Sequence, residues 1–216
     1  MLDEVRSHPL TVDVQLDGGP HYDSLEHMVE DASKLGCDTV VNCAGLGSSD
    51  ICDDSDLRGG RGALLRYDRR TCHRHDVSGL GEGEVATNDA VVLVDEEPWG
   101  SVTEQCYLIP RGDSLLVGGT HLLGDSEAGL REDERSRLTQ NARILGIDTD
   151  RSDPAGEWVG FRPCRSRGVR LEIDRGGVGV EEGVRVVHNY GHGGSGWTVF
   201  VGAAARAADL VTGTVC

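Results

Sequence analysis

The chain has 216 residues, enough to bury a sizeable core in one large domain or two small ones even with 4% aromatic residues. Its 37 acidic against 21 basic residues leave a formal charge of −16, which repels nucleic-acid phosphates and anionic lipid, so neither is an expected partner. Seven cysteines without a C-x-x-C pair, no apolar leader in residues 1–6, and no apolar run near the ~20 residues that span a bilayer predict a soluble, cytoplasmic protein in a reducing compartment.

Leu10 to Leu16 alternates apolar and polar residues as a half-buried strand does, and Asp17-Gly18-Gly19-Pro20 turns the chain. A helix follows, with Ser24 as N-cap, Leu25, Met28, Val29 and Ala32 on one face, and Gly36 at its end. The strand Thr39 to Asn42 leads into Ala44-Gly45-Leu46-Gly47-Ser48, which reads either as a plain strand-to-helix turn or as a ligand contact. From Asp53 to about Gly124 the pattern becomes short strands at 63–67, 90–94, 107–109 and 114–117, separated by Gly, Asp, Pro and Asn, which predicts an antiparallel sheet. A helix from Ser126 or Asp133 to Leu145 follows, with Leu130, Leu138, Ala142 and Leu145 as its buried stripe.

An apolar strand, Val184 to Val187, then runs through His188-Asn189-Tyr190-Gly191-His192-Gly193-Gly194-Ser195-Gly196 into an alanine-rich helix from Trp197 to Cys216. Such a junction is either a tight capped turn or a ligand loop, because glycines admit positive φ and bare N–H groups while the helix aims its positive end at the same point. Gly191, Gly193 and Gly196 satisfy G-x-G-x-x-G, yet the dinucleotide fingerprint needs a further parallel strand and an acidic residue about 20 positions on, and only one helix remains. His188 and His192 are read as structural groups bonding the loop backbone. Cys72-His73-Arg74-His75-Asp76 gathers metal-ligand types, but neighbours on an extended chain point in opposite directions and no second cysteine pair follows, so no metal is expected.

The block from His188 to Gly196, preceded by Gly160-Phe161-Arg162-Pro163 and by Val40-Val41-Asn42-Cys43-Ala44-Gly45, resembles the FAD-dependent D-amino acid oxidase family. Gly60-Arg61-Gly62, Tyr107 to Pro110, Val117-Gly118-Gly119 and Asn141 to Ile144 extend the resemblance over about residues 37–211. It implies an α/β fold with an α+β part: a partial FAD-binding Rossmann-like domain (1–52) interleaved with a mixed or antiparallel-sheet substrate domain (53–157), the chain returning to the first through 158–216. Residues 1–40 carry no glycine fingerprint for the adenosine end of FAD. The alternative to an oxidase is therefore a truncated, non-catalytic family remnant, or a partial chain that works with a separate N-terminal half.

The resemblance further implies oxidation of a D-amino acid to an imino acid, which hydrolyses to a 2-keto acid and ammonia, with molecular oxygen reduced to hydrogen peroxide. Substrate would meet Tyr107, Arg162 and Gly194; FAD would meet Gly45, Arg162, Gly193, Gly194, Gly196, Trp197 and Thr198. A guanidinium holds a carboxylate by two charge-assisted hydrogen bonds, so Arg162 fits the carboxylate role that the resemblance implies; by residue type alone such an arginine is more often a surface or structural salt-bridge residue, and Tyr107 more often a half-buried strand tyrosine. No side-chain acid or base is required if the substrate amine is neutral. Thr103 stands where many members have a second lid tyrosine. Arg165, Arg167 and Arg170 match no family position and are read as solvated. A homodimer is among the expected assemblies, and the terminal Thr214-Val215-Cys216 is no peroxisomal tripeptide, so that compartment would require another route.

Overall fold

The computed structural model describes residues 21–73, 92–94 and 104–213. The strand expected at Leu10 to Leu16 and the lid position Thr103 lie outside these residues, as do positions 74–76 of the histidine-rich segment.

Helix α1 (Leu25–Lys34) opens on Ser24, whose side chain accepts a hydrogen bond from the His27 N–H, and buries Leu25, Val29 and Ala32. Strand β1 (Thr39–Asn42) follows, then a 3-10 turn (Gly45–Gly47) and a short helix α2 (Ser48–Ile51). Strand β1 lies parallel to β9 (Arg185–Tyr190), which pairs antiparallel with β8 (Arg170–Ile173). The order β1-β9-β8 makes a three-stranded sheet that packs Val184 and Val186 against the buried face of α1. Strand β8 was not expected, because Arg-Leu-Glu-Ile is too short and too charged to show an apolar alternation.

The second sheet is antiparallel throughout. Strand β2 (Leu57–Asp68) pairs with β7 (Gly156–Arg165) on one side and with β5 (Ser114–Thr120) and β6 (Leu122–Leu123) on the other; β4 (Glu104–Arg111) and β3 (Val92–Val94) continue from β5. Alternation along β2 sends Arg61, Ala63, Leu65 and Tyr67 to one face, where Leu138, Ala142 and Leu145 of the helix region α3 (Glu132–Ile144) and its C-cap cover them. Burial of these side chains stabilises the sheet at about 25 cal/mol per Å² of apolar area removed from water. The opposite face carries Gly60, Gly62, Leu64 and Arg66. Strand β2 is longer than the five residues expected because its glycines, poor strand formers alone, are held by ten paired positions on β7.

Helix α4 (Gly196–Thr212) closes the described chain, ending at Gly213 in the left-handed conformation. Trp197, Val199 and Val201 are exposed along its first two turns. No helix among the described residues is long and apolar enough to cross a membrane.

Candidate functional site

Strand register places the site. Tyr107, Gly118, Leu64 and Trp158 form one row across β4, β5, β2 and β7; Gly62 and Gly160 lie in the next row, and Gly60 and Arg162 in the one after. A β-carbon at Gly62 would overlap the Arg162 guanidinium, and one at Gly118 would overlap the Tyr107 ring. Glycine in the two middle strands thus lets two long side chains lean inward from β7 and β4 and come to lie over adjacent strands, which are separated by about 4.8 Å. The Tyr107 hydroxyl is 2.7 Å from where a Gly119 β-carbon would stand. Burial pushes the Tyr107 phenol above its ordinary value, and the Arg162 charge opposes that shift.

Arg162 is half-buried, and its Nη1 donates to the Thr120 carbonyl at 3.3 Å. Among the described residues no carboxylate pairs with it, in contrast to Arg61, Arg131, Arg135, Arg143, Arg165 and Arg170. A guanidinium taken partly out of water without a counter-ion is an anion-binding group in waiting.

The loop after β9 closes over this arginine. Gly191 and Gly193 have φ of +84° and +57°, which side chains rarely adopt, and a β-carbon at Gly194 would come 3.4 Å from Arg162 Cδ. Ser195 is the N-cap of α4 but makes no side-chain capping bond, so the helix presents its positive end uncapped by a side chain. Between the loop, β7 and the 3-10 turn lies a cleft of about 680 Å³ whose walls include Cys43, Gly45, Arg162, Asn189, His192, Gly193, Gly194, Gly196 and the rings of Trp158, Phe161, Trp197 and Phe200. Trp197 and Phe200 meet edge to face at 5.8 Å. Six of the residues expected to contact cofactor, Gly45, Arg162, Gly193, Gly194, Gly196 and Trp197, therefore meet in one place. Thr198 is exposed in the first turn of α4 and does not line the cleft, and neither does Tyr107, which lies within electrostatic reach of Arg162.

The sequence model of the family described as "FAD dependent oxidoreductase" matches residues 17–210. The chain belongs to this family. The D-amino-acid oxidase of Dictyostelium discoideum is 32% identical over 178 residues, 81% of this chain and 43% of that protein, and the D-amino-acid oxidase of Streptomyces coelicolor is 30% identical over 87% and 51%. The D-aspartate oxidase of Homo sapiens is 29% identical over 88% of this chain and 49% of its own. The chain thus spans about half the length of the curated relatives it matches. Among solved structures, glycine oxidase from Bacillus cereus superposes with a TM-score of 0.60 at 15% identity over 82% of this chain and 43% of its own, and NikD, an unusual amino acid oxidase, with 0.57 at 14% over 82% and 45%. The fold is the mixed α/β fold of FAD-dependent oxidases.

FAD is the family's cofactor, and the cleft's residues suit its flavin ring. Asn189 Oδ1 and His192 Nε2 are buried without a hydrogen-bond partner among the described residues, an expensive state unless a ligand completes them. Aromatic walls and a glycine cradle match a planar ring with polar edges. Asn189, His192 and Cys43 were not singled out as contacts from the sequence; Asn189 and His192 were legible only as members of the glycine block. The His192 Nε2 has no hydrogen-bond partner among the described residues.

His188 does act structurally. It is fully buried, its Nε2 lies 3.1 Å from Asp174 Oδ1, and its Nδ1 faces Asn42 Nδ2 at 3.5 Å. The Asn42 carbonyl oxygen accepts from Ala44 N and Ser48 Oγ, both at 3.0 Å, so the amide turns its NH₂ toward the imidazole and leaves Nδ1 the acceptor. Burial lowers the His188 pKa, with Asp174 opposing and Arg170 adding to the effect. The neutral ring is therefore favoured on folding. Its stabilisation is fully present above the unfolded value of about 6.5 and is lost as pH falls from there toward the lower folded value. Urea unfolding between pH 7.5 and 5 should show stability falling by no more than about 1.4 kcal/mol per pH unit from this proton, and His188→Asn should flatten that slope. An unchanged slope in the variant would assign the effect elsewhere.

Two arginines expected to be solvated are not. Arg165 Nε donates to Asp54 Oδ2 at 2.8 Å, and Arg170 Nη1 to the Tyr190 hydroxyl at 2.9 Å and Nη2 to Asp174 at 3.2 Å, all part-buried. Asp54 is 111 positions from Arg165, so no local pattern could pair them. Arg167 is exposed as expected and pairs with Asp56 at 2.9 Å. Of the histidine-rich segment, Cys72 packs against the second sheet's core and His73 N–H bonds Ser152 Oγ.

Proposed function

We propose that this chain forms the flavin-ring and substrate portion of an FAD-dependent D-amino acid oxidase, converting a D-amino acid to its imino acid, which then hydrolyses to a 2-keto acid and ammonia. The observation that carries this reading is the half-buried guanidinium of Arg162, without a carboxylate partner among the described residues, aimed over Gly62 and flanked by Gly194 of the loop. The names of the D-amino-acid and D-aspartate oxidases among its relatives support the substrate class.

FAD, when bound, supplies the two-electron acceptor for the Cα hydrogen and passes the electrons to molecular oxygen, released as hydrogen peroxide. Arg162 binds the substrate carboxylate through two parallel hydrogen bonds, and the Tyr107 hydroxyl donates a third. The Tyr107 phenol is protonated at neutral pH, and burial moves its pKa further up, so its hydroxyl can donate. The Gly194 carbonyl accepts from the amine, which orients Cα toward the loop. Binding the amine in its neutral form makes a side-chain base unnecessary. The uncapped N-terminus of α4 favours negative charge beside Gly196 and Trp197. Fixing the substrate between these groups supplies the orientation that a bimolecular encounter lacks.

The test is visible absorbance of the chain mixed with FAD and freed of excess cofactor, followed by anaerobic D-alanine or D-aspartate. Bleaching of a retained flavin band is expected, and the two amino acids rank neutral against acidic side chains. A chain that retains no flavin would refute the reading for this polypeptide acting alone.

A further inference from the structure

Arg162 and the glycine loop belong to different sheets, so the distance between them depends on what joins the sheets. Strand β7 ends at Arg165, three residues beyond Arg162, and β9 ends at Tyr190, three residues before Gly193. Both ends converge on one carboxylate. Asp54 Oδ2 accepts from Arg165 Nε at 2.8 Å and from the Tyr190 hydroxyl at 2.7 Å, while Oδ1 accepts from the Asp56 N–H at 3.1 Å. Asp54 is 8% exposed, and the strands make a lone backbone bridge beside it, Cys164 to His192.

The contact continues on both sides. Gly191, the first residue of the loop, stacks on the Arg165 stem so closely that a β-carbon there would lie 2.9 Å from Arg165 Cβ. The Tyr190 hydroxyl, which donates to Asp54, accepts from Arg170, which also bonds the Asp174 that holds His188. Burial alone would raise the Asp54 pKa, but the bonds from Arg165 and Tyr190 outweigh it and keep the carboxyl below its ordinary range. The group is ionised at neutral pH and attracts both partners.

We propose that Asp54 is a positioning residue that locks β7 to β9 and thereby sets the gap between Arg162 and the glycine loop. It does not line the cleft, and it acts through Arg165 and Tyr190. The inference rests on the oxidase reading, since the gap matters only if a carboxylate and a flavin ring share it. A correctly set gap makes the two ligands assist each other; a loosened one lets each bind without the other's help.

Titration of FAD into the chain, with and without saturating propionate, measures that assistance. Propionate serves as an unreactive monocarboxylate. In the unaltered chain we expect propionate to tighten FAD binding by about tenfold, a usual size for such coupling. In Asp54→Asn we expect the factor to fall to about one, with the affinity for either ligand alone changed by less than about threefold. Tyr190→Phe, which removes the hydroxyl's bonds to Asp54 and from Arg170 but no charge, should lower the factor in the same direction and serves as the deciding variant if Asp54→Asn fails to fold. A folded variant that keeps the full coupling overturns the positioning role alone. Absence of FAD binding by the unaltered chain, or an Arg162→Leu chain with unchanged propionate affinity, overturns the oxidase reading and this inference with it.

Discussion

Arg162→Leu is expected to weaken propionate binding by on the order of a hundredfold while the retained flavin changes little. Hydrogen bonds to a charged group contribute about 1.5–3 kcal/mol each, so losing a bidentate pair removes at least about 3 kcal/mol. The sharper prediction is Gly62→Ala, which leaves Arg162 in place. Its added methyl would occupy the guanidinium's position, and the backbone of β2 is held by pairing on both sides and cannot retreat. The arginine must take another rotamer, so most of the Arg162→Leu effect should appear in a protein whose charge is unaltered. Calorimetric titration of both variants checks this. Full affinity in Gly62→Ala would mean that the guanidinium binds carboxylate from a different place, and the arrangement of Tyr107 and Arg162 over the sheet would lose its meaning.

Glu134→Ala should lower folding stability by about 3–5 kcal/mol, the cost of stranding a buried charge. Arg61 is fully buried on β2 between Gly60 and Gly62, and Glu134 on α3 is 1% exposed. The guanidinium bonds both Glu134 oxygens, Nη2 to Oε2 at 2.9 Å, and also the carbonyls of Glu127 at 2.6 Å and Gly129 at 2.5 Å. Removing the carboxylate leaves Arg61 with two carbonyls and, as its remaining counter-ion, Asp125 at 4.0 Å. Against a usual total of 5–15 kcal/mol, such a loss is large. The double variant Arg61→Met with Glu134→Leu removes both charges and should recover most of the loss, because a buried pair returns little more than its own desolvation cost. Urea midpoints of the three proteins decide it; equal midpoints for the single variant and the unaltered chain would show that water reaches the pair. Burial would raise the Glu134 pKa, but the Arg61 and Arg131 bonds prevail and hold it low. Its contribution is thus present above the unfolded value of about 4.3 and disappears as pH falls through the folded one.

Much of this is legible in the sequence. Ser24 and Gly36 bracketed the first helix because capping is a local matter of one side chain and one turn. The strand–glycine–helix junction at 184–197 announced itself because an apolar run, four glycines and an alanine-rich helix are consecutive, and consecutive features leave a linear signal. The same locality identified the family from the blocks around Arg162 and His188.

What the tertiary structure decided is every property that joins distant segments. Gly62 and Gly118 are weak residues for a strand until register sets one beneath Arg162 and the other beneath Tyr107. Arg165 and Arg170 read as surface charges until β7, returning more than a hundred residues later, brings the first of them to Asp54 in the turn before β2. Asn189 and His192 gain a role only from the fold, which sets both residues in the wall of the cleft and buries a polar atom of each without a partner among the described residues. The sequence alone determined which local elements form and what chemistry their side chains can offer, since caps, turns and periodicity act over a few residues. Whether a given arginine is solvated, paired or left waiting for a ligand was settled by pairing across strands, because desolvation and counter-ions depend on neighbours in space.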